Sequence, residues 1–115
     1  MAFTENEFVK YQSILEQYLE QVRPPAEIRA KLDIGYDIEG QSIYLVEIRP
    51  QWLNPEVIQR LPYAKATFVR SKNHWNIYWM RADLKWHAYG PLHTVKTLKR
   101  FLKTVDEDAY HCFKG

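Results

Sequence analysis

The chain has 115 residues, 46% of them hydrophobic and 15% aromatic, which predicts a single domain over residues 1–115 with a core built from large rings. One cysteine excludes an internal disulfide and favours a reducing compartment. The first residues lack the pattern of a signal peptide, and no apolar run approaches the roughly 18 residues of a membrane span. We therefore expect a cytoplasmic protein that does not enter a membrane.

Charge is distributed unevenly along the chain, although the formal net charge is only +2. Residues 60–103 include ten lysines and arginines and one acid, Asp83, whereas the rest of the chain has six basic and thirteen acidic residues. Such asymmetry is typical of a surface that meets a polyanion, and equally of two faces that attract each other.

The first predicted element is a helix over residues 5–22, because apolar residues recur there at spacings of three and four. Thr4 and Glu7 have the pattern of a capping box at its start. The helix is expected to end before Pro24, since the residue preceding a proline avoids helical geometry.

Two strands then flank a turn at Gly40, where apolar and polar residues alternate. Matching apolar positions across the pair places Ile34 opposite Val46 and predicts a three-residue loop. The same register places Asp33 opposite Glu47.

After a connector with one helical turn, residues 64–70 and 74–81 are predicted to form a second hairpin, followed by a short fifth strand. With tight turns at both connections, Trp79 lies between Ala66 and Ala88 on one face. A large ring flanked by small residues suits a packed face, so Trp79 is predicted to belong to the core.

A final helix is predicted over residues 94–105, with Thr94 or His93 as its cap. The face opposite its apolar stripe carries Lys96, Lys99, Arg100 and Lys103. The expected fold class is α+β: a two-layer domain with an antiparallel sheet of about five strands and the N- and C-terminal helices on one face.

The chain resembles a known family in three runs: KLDIGYDIEGQSIYLVEIRP, AKATFVRSKNHWNIYWMRADLKWHAY and VDEDAYHCF. They cover nearly the whole chain, and a run such as residues 79–87 does not arise from strand periodicity. The family is a small bacterial one known only as a domain of unknown function (family 3024). Its ending reads more like DEDPYGCFFG, so Ala109, His111 and Lys114 depart from it. The resemblance implies a bacterial source and one folded unit, without a known activity or site.

Nucleic-acid binding is the first of three functional hypotheses. Cations on one helical face can contact successive phosphates, cations at the hairpin turns can extend that patch, and two tryptophans near strand ends can stack on unpaired bases. The predicted binding residues are Lys96, Lys99, Arg100, Lys103, Arg70, Lys72, Arg81, Lys85, Trp75 and Trp86. The alternative is that these charges only keep the surface solvated, with the two arginines stacked on the tryptophans.

A divalent-metal-dependent phosphodiesterase is the second hypothesis. Asp33 opposite Glu47, with Arg49 two residues further, resembles nucleases in which carboxylates hold Mg²⁺ and a cation stabilises charge. Arg49 takes the position of the lysine that such sites have. The alternative is that these charged residues form a ladder of ion pairs at the surface. The histidines and Cys112 lack a recurrent metal-binding spacing, so no metal or cofactor is predicted, and binding is favoured over catalysis.

A protein partner or a second copy of the chain is the third hypothesis. If both helices cover the Trp79 face, the opposite face presents rings and a methionine, among them Tyr78, Met80 and Tyr89. Such a face is apolar for a bare solvent surface, although tyrosine also has a high strand propensity. The ligand, the oligomeric state and the order of residues 109–115 do not follow from the sequence.

Overall fold

In the computed structural model, which describes residues 2–113, two helices pack against one face of an antiparallel sheet. The helices are α1 (Glu5–Val22) and α2 (Leu98–Glu107). The strands are β1 (Asp33–Glu39), β2 (Ser42–Pro50), β3 (Ile58–Val69), β4 (His74–Met80), β5 (Trp86–Ala88) and β6 (Thr94–Val95). The predicted α+β class is confirmed. Lys114, where the family ending has an aromatic residue, and Gly115 lie outside the described residues.

The sheet is a meander in the order β1-β2-β3-β4-β5, and the short β6 also pairs with β4. β5 pairs with the C-terminal half of β4, and β6 pairs with Trp75 and Asn76 near its N-terminal end. Between them, the amide of Ile77 donates to the carbonyl of His93 at 2.7 Å. Two short strands therefore share the pairing edge of one longer strand.

α1 begins and ends where the sequence predicts. The Glu7 amide donates to the Thr4 hydroxyl at 3.2 Å and the Thr4 amide donates to the Glu7 carboxylate at 2.9 Å, which is a complete capping box. The helix stops at Val22, ahead of Pro24, and buries Tyr11, Leu15 and Leu19 against the sheet.

The first hairpin differs from the predicted register. Ile34 pairs with Glu47 and Asp33 pairs with Ile48, so neither the predicted Ile34–Val46 pair nor the Asp33–Glu47 pair forms. Because successive side chains alternate between faces, this shift of one residue brings the other set of β2 side chains towards the helices.

The loop between β1 and β2 explains that shift. It has two residues, Gly40 and Gln41, instead of three, and Gly40 has a φ of 62°, which glycine adopts without a Cβ clash. Ile43 and Leu45 consequently face the helices and are fully buried. β2 is apolar at both sets of alternate positions, so its pattern alone could not distinguish the two registers.

The predicted connector is instead part of a long hairpin. β3 begins at Ile58, opposite Pro50, and only residues 51–57 form the loop. Within the loop, the Val57 amide donates to the Asn54 carbonyl at 2.9 Å, which is a turn at the predicted position but not a helix.

Pro62 lies in a central strand, where it cannot donate a ladder hydrogen bond. A β-bulge accommodates it: the β2–β3 register shifts between Leu45 and Val46, opposite Tyr63. The bulge also places both Leu45 and Tyr63 in the buried core.

The β3–β4 connection is longer than predicted. Arg70–Lys72 form a single 3₁₀ turn and Asn73 follows with a φ of 50°. Trp79 consequently pairs with Ala64 instead of Ala66. Because the shift is two residues, the face is unchanged, and Trp79 packs against the core as predicted.

The Arg81 amide donates to the Lys85 carbonyl at 3.2 Å, so the β4–β5 turn itself has three residues, 82–84, instead of two, with Leu84 at a φ of 61°. Trp79 therefore pairs with His87, not with Ala88, and Met80 pairs with Trp86. This one-residue change moves Trp86 to the face opposite the helices, which we call the open face.

α2 begins later than predicted. Thr94 and Val95 form β6, and Thr97 caps the helix by accepting a hydrogen bond from the Arg100 amide at 3.1 Å. The predicted caps at Thr94 and His93 are therefore wrong, and the helix continues to Glu107.

The core is rich in rings. Trp75 is only 2% exposed and contacts Phe3, Tyr11 and Phe68 at centroid distances of 5.8, 5.1 and 5.1 Å. The prediction that Trp75 lies at the surface is wrong, because the N-terminal segment covers it. Within the part of the chain that the structure describes, no helix is both long and apolar enough to cross a membrane.

Candidate nucleic-acid interface

A groove runs between α1 and α2, and at one end it reaches Phe68 and Trp75 of the sheet. Two cavities, of about 540 and 400 Å³, share Ile14, Gln17 and Lys99 in their walls, so they adjoin along the two helices. We call this depression the helix groove. It extends from Asn73 at the β3–β4 turn to Asp106 near the C-terminus of α2.

Four lysines line the helix groove: Lys10 from α1, Lys96 just before α2, and Lys99 and Lys103 from α2. All four are exposed. Among residues 2–113, none of the four forms an ion pair within 4.0 Å. Asp106 is the sole acid in the described walls, so the net charge of the groove lining is positive.

None of the α1 glutamates lines the helix groove. Glu7 accepts two hydrogen bonds from the Arg70 guanidinium, both at 2.9 Å, and Glu16 accepts one from the Tyr36 hydroxyl at 2.7 Å. The Arg70 hydrogen bonds, with that of the Thr4 backbone, lower the pKa of Glu7 to about 2. The charge of Glu7 is thus balanced by Arg70 and not by a lysine of the groove.

The floor of the helix groove is apolar. Its main contributors are Tyr11, Ile14, Tyr18, Leu98 and Leu102. The hydroxyl of Tyr18 is buried and has no hydrogen-bond partner in the described part of the chain. Burial, together with the charge of Asp106, raises the pKa of Tyr18 to about 12, so its hydroxyl is a donor at neutral pH.

Comparison with protein families matches residues 3–115 to the Domain of unknown function DUF3024. The chain belongs to this family. The match confirms the resemblance seen in the three sequence runs, and the family description names no activity or ligand. No curated protein and no solved structure shows a significant match. The function of this DUF3024 member must therefore be argued from its own residues.

The structure brings together part of the predicted basic surface. Lys96, Lys99 and Lys103 line the helix groove, and Arg100 is exposed on α2 beside it. Lys72 is exposed next to Asn73 in the β3–β4 turn, at the end of the groove that Asn73 lines.

The remaining predicted cations are placed differently. Arg70 binds Glu7, and Arg81 lies over the Trp79 ring at 5.4 Å instead of over Trp86. Arg81 and Lys85 follow the C-terminal end of β4, about 20 Å along the strand from the β3–β4 turn. The hairpin turns therefore do not form one continuous patch with α2.

The two tryptophans predicted to stack on bases do not flank the groove. Trp75 forms part of the groove's inner wall, but it is buried, and Trp86 lies on the open face. There the Lys65 ammonium is 5.5, 5.3 and 5.9 Å from the ring centroids of Tyr44, Tyr78 and Trp86. The Trp86 ring thus already contacts a cation of the same chain, Lys65.

The face proposed for a protein partner also changes composition. Tyr78 and Met80 lie on the open face and are half-buried, but Tyr89 is buried in the core, where its ring is 4.7 Å from that of Phe113. The prediction that Tyr89 belongs to the open face is wrong, because the β4–β5 turn is one residue longer than expected.

The carboxylate site of the phosphodiesterase hypothesis does not form. The Arg23 guanidinium donates to both carboxylate oxygens of Asp33, at 2.8 and 2.6 Å, and lowers its pKa. Glu47 pairs across the strand with Ile34 and lines a separate cavity of about 250 Å³, while Arg49 is exposed. Within residues 2–113, no group of three or more His, Cys, Asp or Glu side chains is placed to hold a metal ion.

Sequence reasoning missed the α1 wall of the helix groove. Lys10, Ser13, Gln17 and Gln21 line it, at spacings of three and four residues. None of the four α1 glutamates is in the lining, although Glu7 and Glu20 stand seven residues from Ile14 and Ser13 and so lie near this stripe on a helical wheel.

Proposed function

We propose that this DUF3024 member binds nucleic acid through the helix groove, in the cytoplasm of a bacterium. The observation that carries the proposal is the charge of the lining: four lysines without ion pairs in the described chain line the groove, and Asp106 is the sole acid among the described lining residues. A concave surface lined by one sign of charge focuses its field and attracts the opposite charge. The phosphate backbone is the polyanion that such a surface meets in a cell.

The type of cation supports this interpretation. The arginines at positions 23, 60 and 70 form ion pairs that connect elements of the fold, whereas the groove has lysines. Lysine is a flexible, hydrated point charge suited to phosphate contacts that position a ligand without reading its sequence. The single cysteine supports the proposed reducing compartment.

Fluorescence anisotropy with a labelled oligonucleotide of about 20 nucleotides tests the proposal. Four phosphate contacts predict that log K falls with log salt with a slope of roughly −3 for a single strand. Binding should therefore be measurable at about 50 mM salt and weaken at least tenfold by about 200 mM. Absence of binding at the lower salt concentration would refute the proposal.

A charge-reversal pair of variants locates the site. The triple variant Lys96→Glu, Lys99→Glu, Lys103→Glu should lose at least tenfold in affinity, since three phosphate contacts become repulsive.

The matched control reverses three exposed cations outside the groove and changes net charge by the same amount: Lys31→Glu, Arg49→Glu and Lys85→Glu. It should retain most of the affinity. An equal loss in both triple variants would mean that only net charge matters and that the groove is not the site. Thermal melting of each variant checks that it is folded.

A further inference from the structure

We propose that the helix groove takes a single unpaired strand, over about four nucleotides, and not a duplex. This inference rests on the proposed function and names the class of nucleic acid that the same site would accept. Its grounds are the width of the groove, the chemistry of its floor and walls, and the spacing of its charges.

The width of the groove is limited by the helices that form it. α1 and α2 contact each other, and helices in contact have axes about 8–10 Å apart. The depression between two such helices is narrower than a duplex, whose major groove alone is about 12 Å wide. A duplex would touch only the lysines at the rim, whereas an unpaired strand can place its bases between the helices.

The floor and the α1 wall offer what bases need. Ile14, Leu98 and Leu102 present apolar surface to the flat faces of the bases. Gln17 and Gln21 are neutral amides that both donate and accept hydrogen bonds. Base edges with free donors and acceptors are available in an unpaired strand and are already satisfied in a duplex.

Tyr18 adds its ring to the apolar floor, and its hydroxyl is buried beneath the groove surface. It lacks a hydrogen-bond partner in the described chain, and Tyr18 lines the groove together with Gln21 and Asp106. A buried polar group without a partner is rare in folded proteins and is satisfied by a water or a ligand.

The charges set the length of the bound segment. Lys99 and Lys103 are four residues apart on α2, about 6 Å along the axis, which spans about two nucleotide steps of a stacked strand. Lys96 and Lys10 extend the positive wall by about two further steps towards Asn73. Asp106 repels phosphate at the other end, so the favourable segment stops there.

An acidic amphipathic helix is the competing occupant of a groove with a basic rim. Such a helix docks by apolar contacts repeated at intervals of one turn along the groove. The groove has apolar residues at such intervals, Ile14 and Tyr18 on α1 and Leu98 and Leu102 on α2, but the α1 wall beside them carries the polar side chains of Ser13, Gln17 and Gln21. Its amides favour a ligand that carries hydrogen-bonding groups on its buried side, as bases do.

Oligonucleotides of different length and pairing test the inference. The probes are labelled single strands of about 4, 8 and 16 nucleotides, a duplex of about 16 base pairs, and poly-glutamate as a competitor, all at one salt concentration. We expect the affinity of the single strands to change less than about threefold with length beyond the statistical factor, and the duplex to bind at least tenfold more weakly.

A pair of neutral variants separates hydrogen bonding from charge. Gln17→Ala with Gln21→Ala should weaken single-strand binding about fivefold to tenfold and leave the salt slope unchanged, because no charge is removed. Asn6→Ala, an exposed amide on α1 outside the groove, is the control and should have no effect.

The outcomes distinguish the inference from the proposed function. A duplex that binds as tightly as the single strands, or an affinity that keeps rising with length, overturns the single-strand inference and leaves nucleic-acid binding in place. Displacement of bound strand by equimolar poly-glutamate also overturns it, since the groove would then attract any polyanion. No binding of any oligonucleotide overturns both.

Discussion

The two faces of the sheet are covered in different ways. On the helix face, side chains such as Ile43, Leu45 and Ile77 are fully buried beneath α1 and α2. No helix lies over the open face in the described chain, yet Val46 on that face is only 1% exposed. Long cationic side chains provide the missing cover.

Two such side chains cover opposite ends of the open face. Lys65 extends its stem among rings from β2, β4 and β5, with its ammonium within 6 Å of three ring centroids. Arg60 crosses Gly35 and donates to the Asp37 carboxylate at 2.6 Å and to the Tyr36 carbonyl at 3.2 Å. Both cations belong to the basic segment 60–103, so its charge count overstates the charge available to a ligand.

The largest effect on stability is expected when an isoleucine is truncated on each face of the sheet. Ile77→Ala removes a fully buried residue from the helix face and should reduce the free energy of unfolding by about 2–5 kcal/mol. Ile48→Ala removes the same atoms from a half-buried position on the open face and should cost about 1–2 kcal/mol. Urea denaturation measures both, and equal losses would mean that the open face is packed as densely as the core.

Filling the space at Gly35 should have the next largest effect. A Cβ at this position would lie 2.9 Å from Ile48 Cδ1 and 3.8 Å from the Arg60 guanidinium. Gly35→Val should therefore cost about 1–3 kcal/mol by overpacking. Gly90→Val is the control, because a Cβ there meets nothing within 4 Å. If adding Ile48→Val to Gly35→Val restores no stability, the proposed clash is not the cause.

The same comparison shows how far sequence reasoning reaches. α1 and its capping box follow from local rules, as does the pairing of apolar strands into an antiparallel sheet. The faces of Glu47 and Trp86 do not follow, because each depends on whether a turn has two or three residues. One residue more or less in the β4–β5 turn determines whether the Trp86 side chain lies on the helix face or beside Lys65 on the open face.

The candidate site shows the same division between local and long-range information. The cationic stripe of α2 is visible in the sequence, since it repeats every three or four residues. The groove depends on which face of α1 packs beside it, and the burial of Trp75 depends on Phe3, seventy-two positions away in the chain. Contacts of that range are set by tertiary packing and leave no periodic signal.

Neutralising Lys65 should have a smaller effect on stability and should separate two kinds of cation. Lys65→Met keeps a long apolar side chain and removes the charge above the rings, so we expect a loss of about 1 kcal/mol in unfolding free energy. Oligonucleotide affinity should stay unchanged, because Lys65 lies on the face opposite the helix groove. Lys99→Met should do the reverse, lowering affinity at nearly constant stability. A loss of affinity in Lys65→Met would place the nucleic acid on the open face.

Breaking the Glu7–Arg70 ion pair should have the smallest effect, since both side chains are partly exposed and salt screens them. The pair connects α1 to the β3–β4 turn beside apolar packing that already holds the helix. Its pH dependence is nevertheless distinctive. The pKa of Glu7 falls from 4.5 to about 2 on folding, so its stabilising contribution is complete above 4.5 and is lost as pH falls towards 2.

The difference in melting temperature between the wild type and Glu7→Gln should therefore shrink as the pH falls. The wild type should melt slightly higher at about pH 7, and the two curves should converge as the pH falls through about 3. Glu5→Gln is the control, because Glu5 shares the first turn of α1 without an arginine partner in the described chain. A difference that persists unchanged below pH 3 would show that the effect does not depend on the charge of residue 7 and hence not on the ion pair with Arg70, because glutamine keeps the capping box. The helix layer would then be attached to the sheet by apolar contacts and the hydrogen bond from Tyr36 to Glu16, in contrast to the open face, which is covered by cationic side chains.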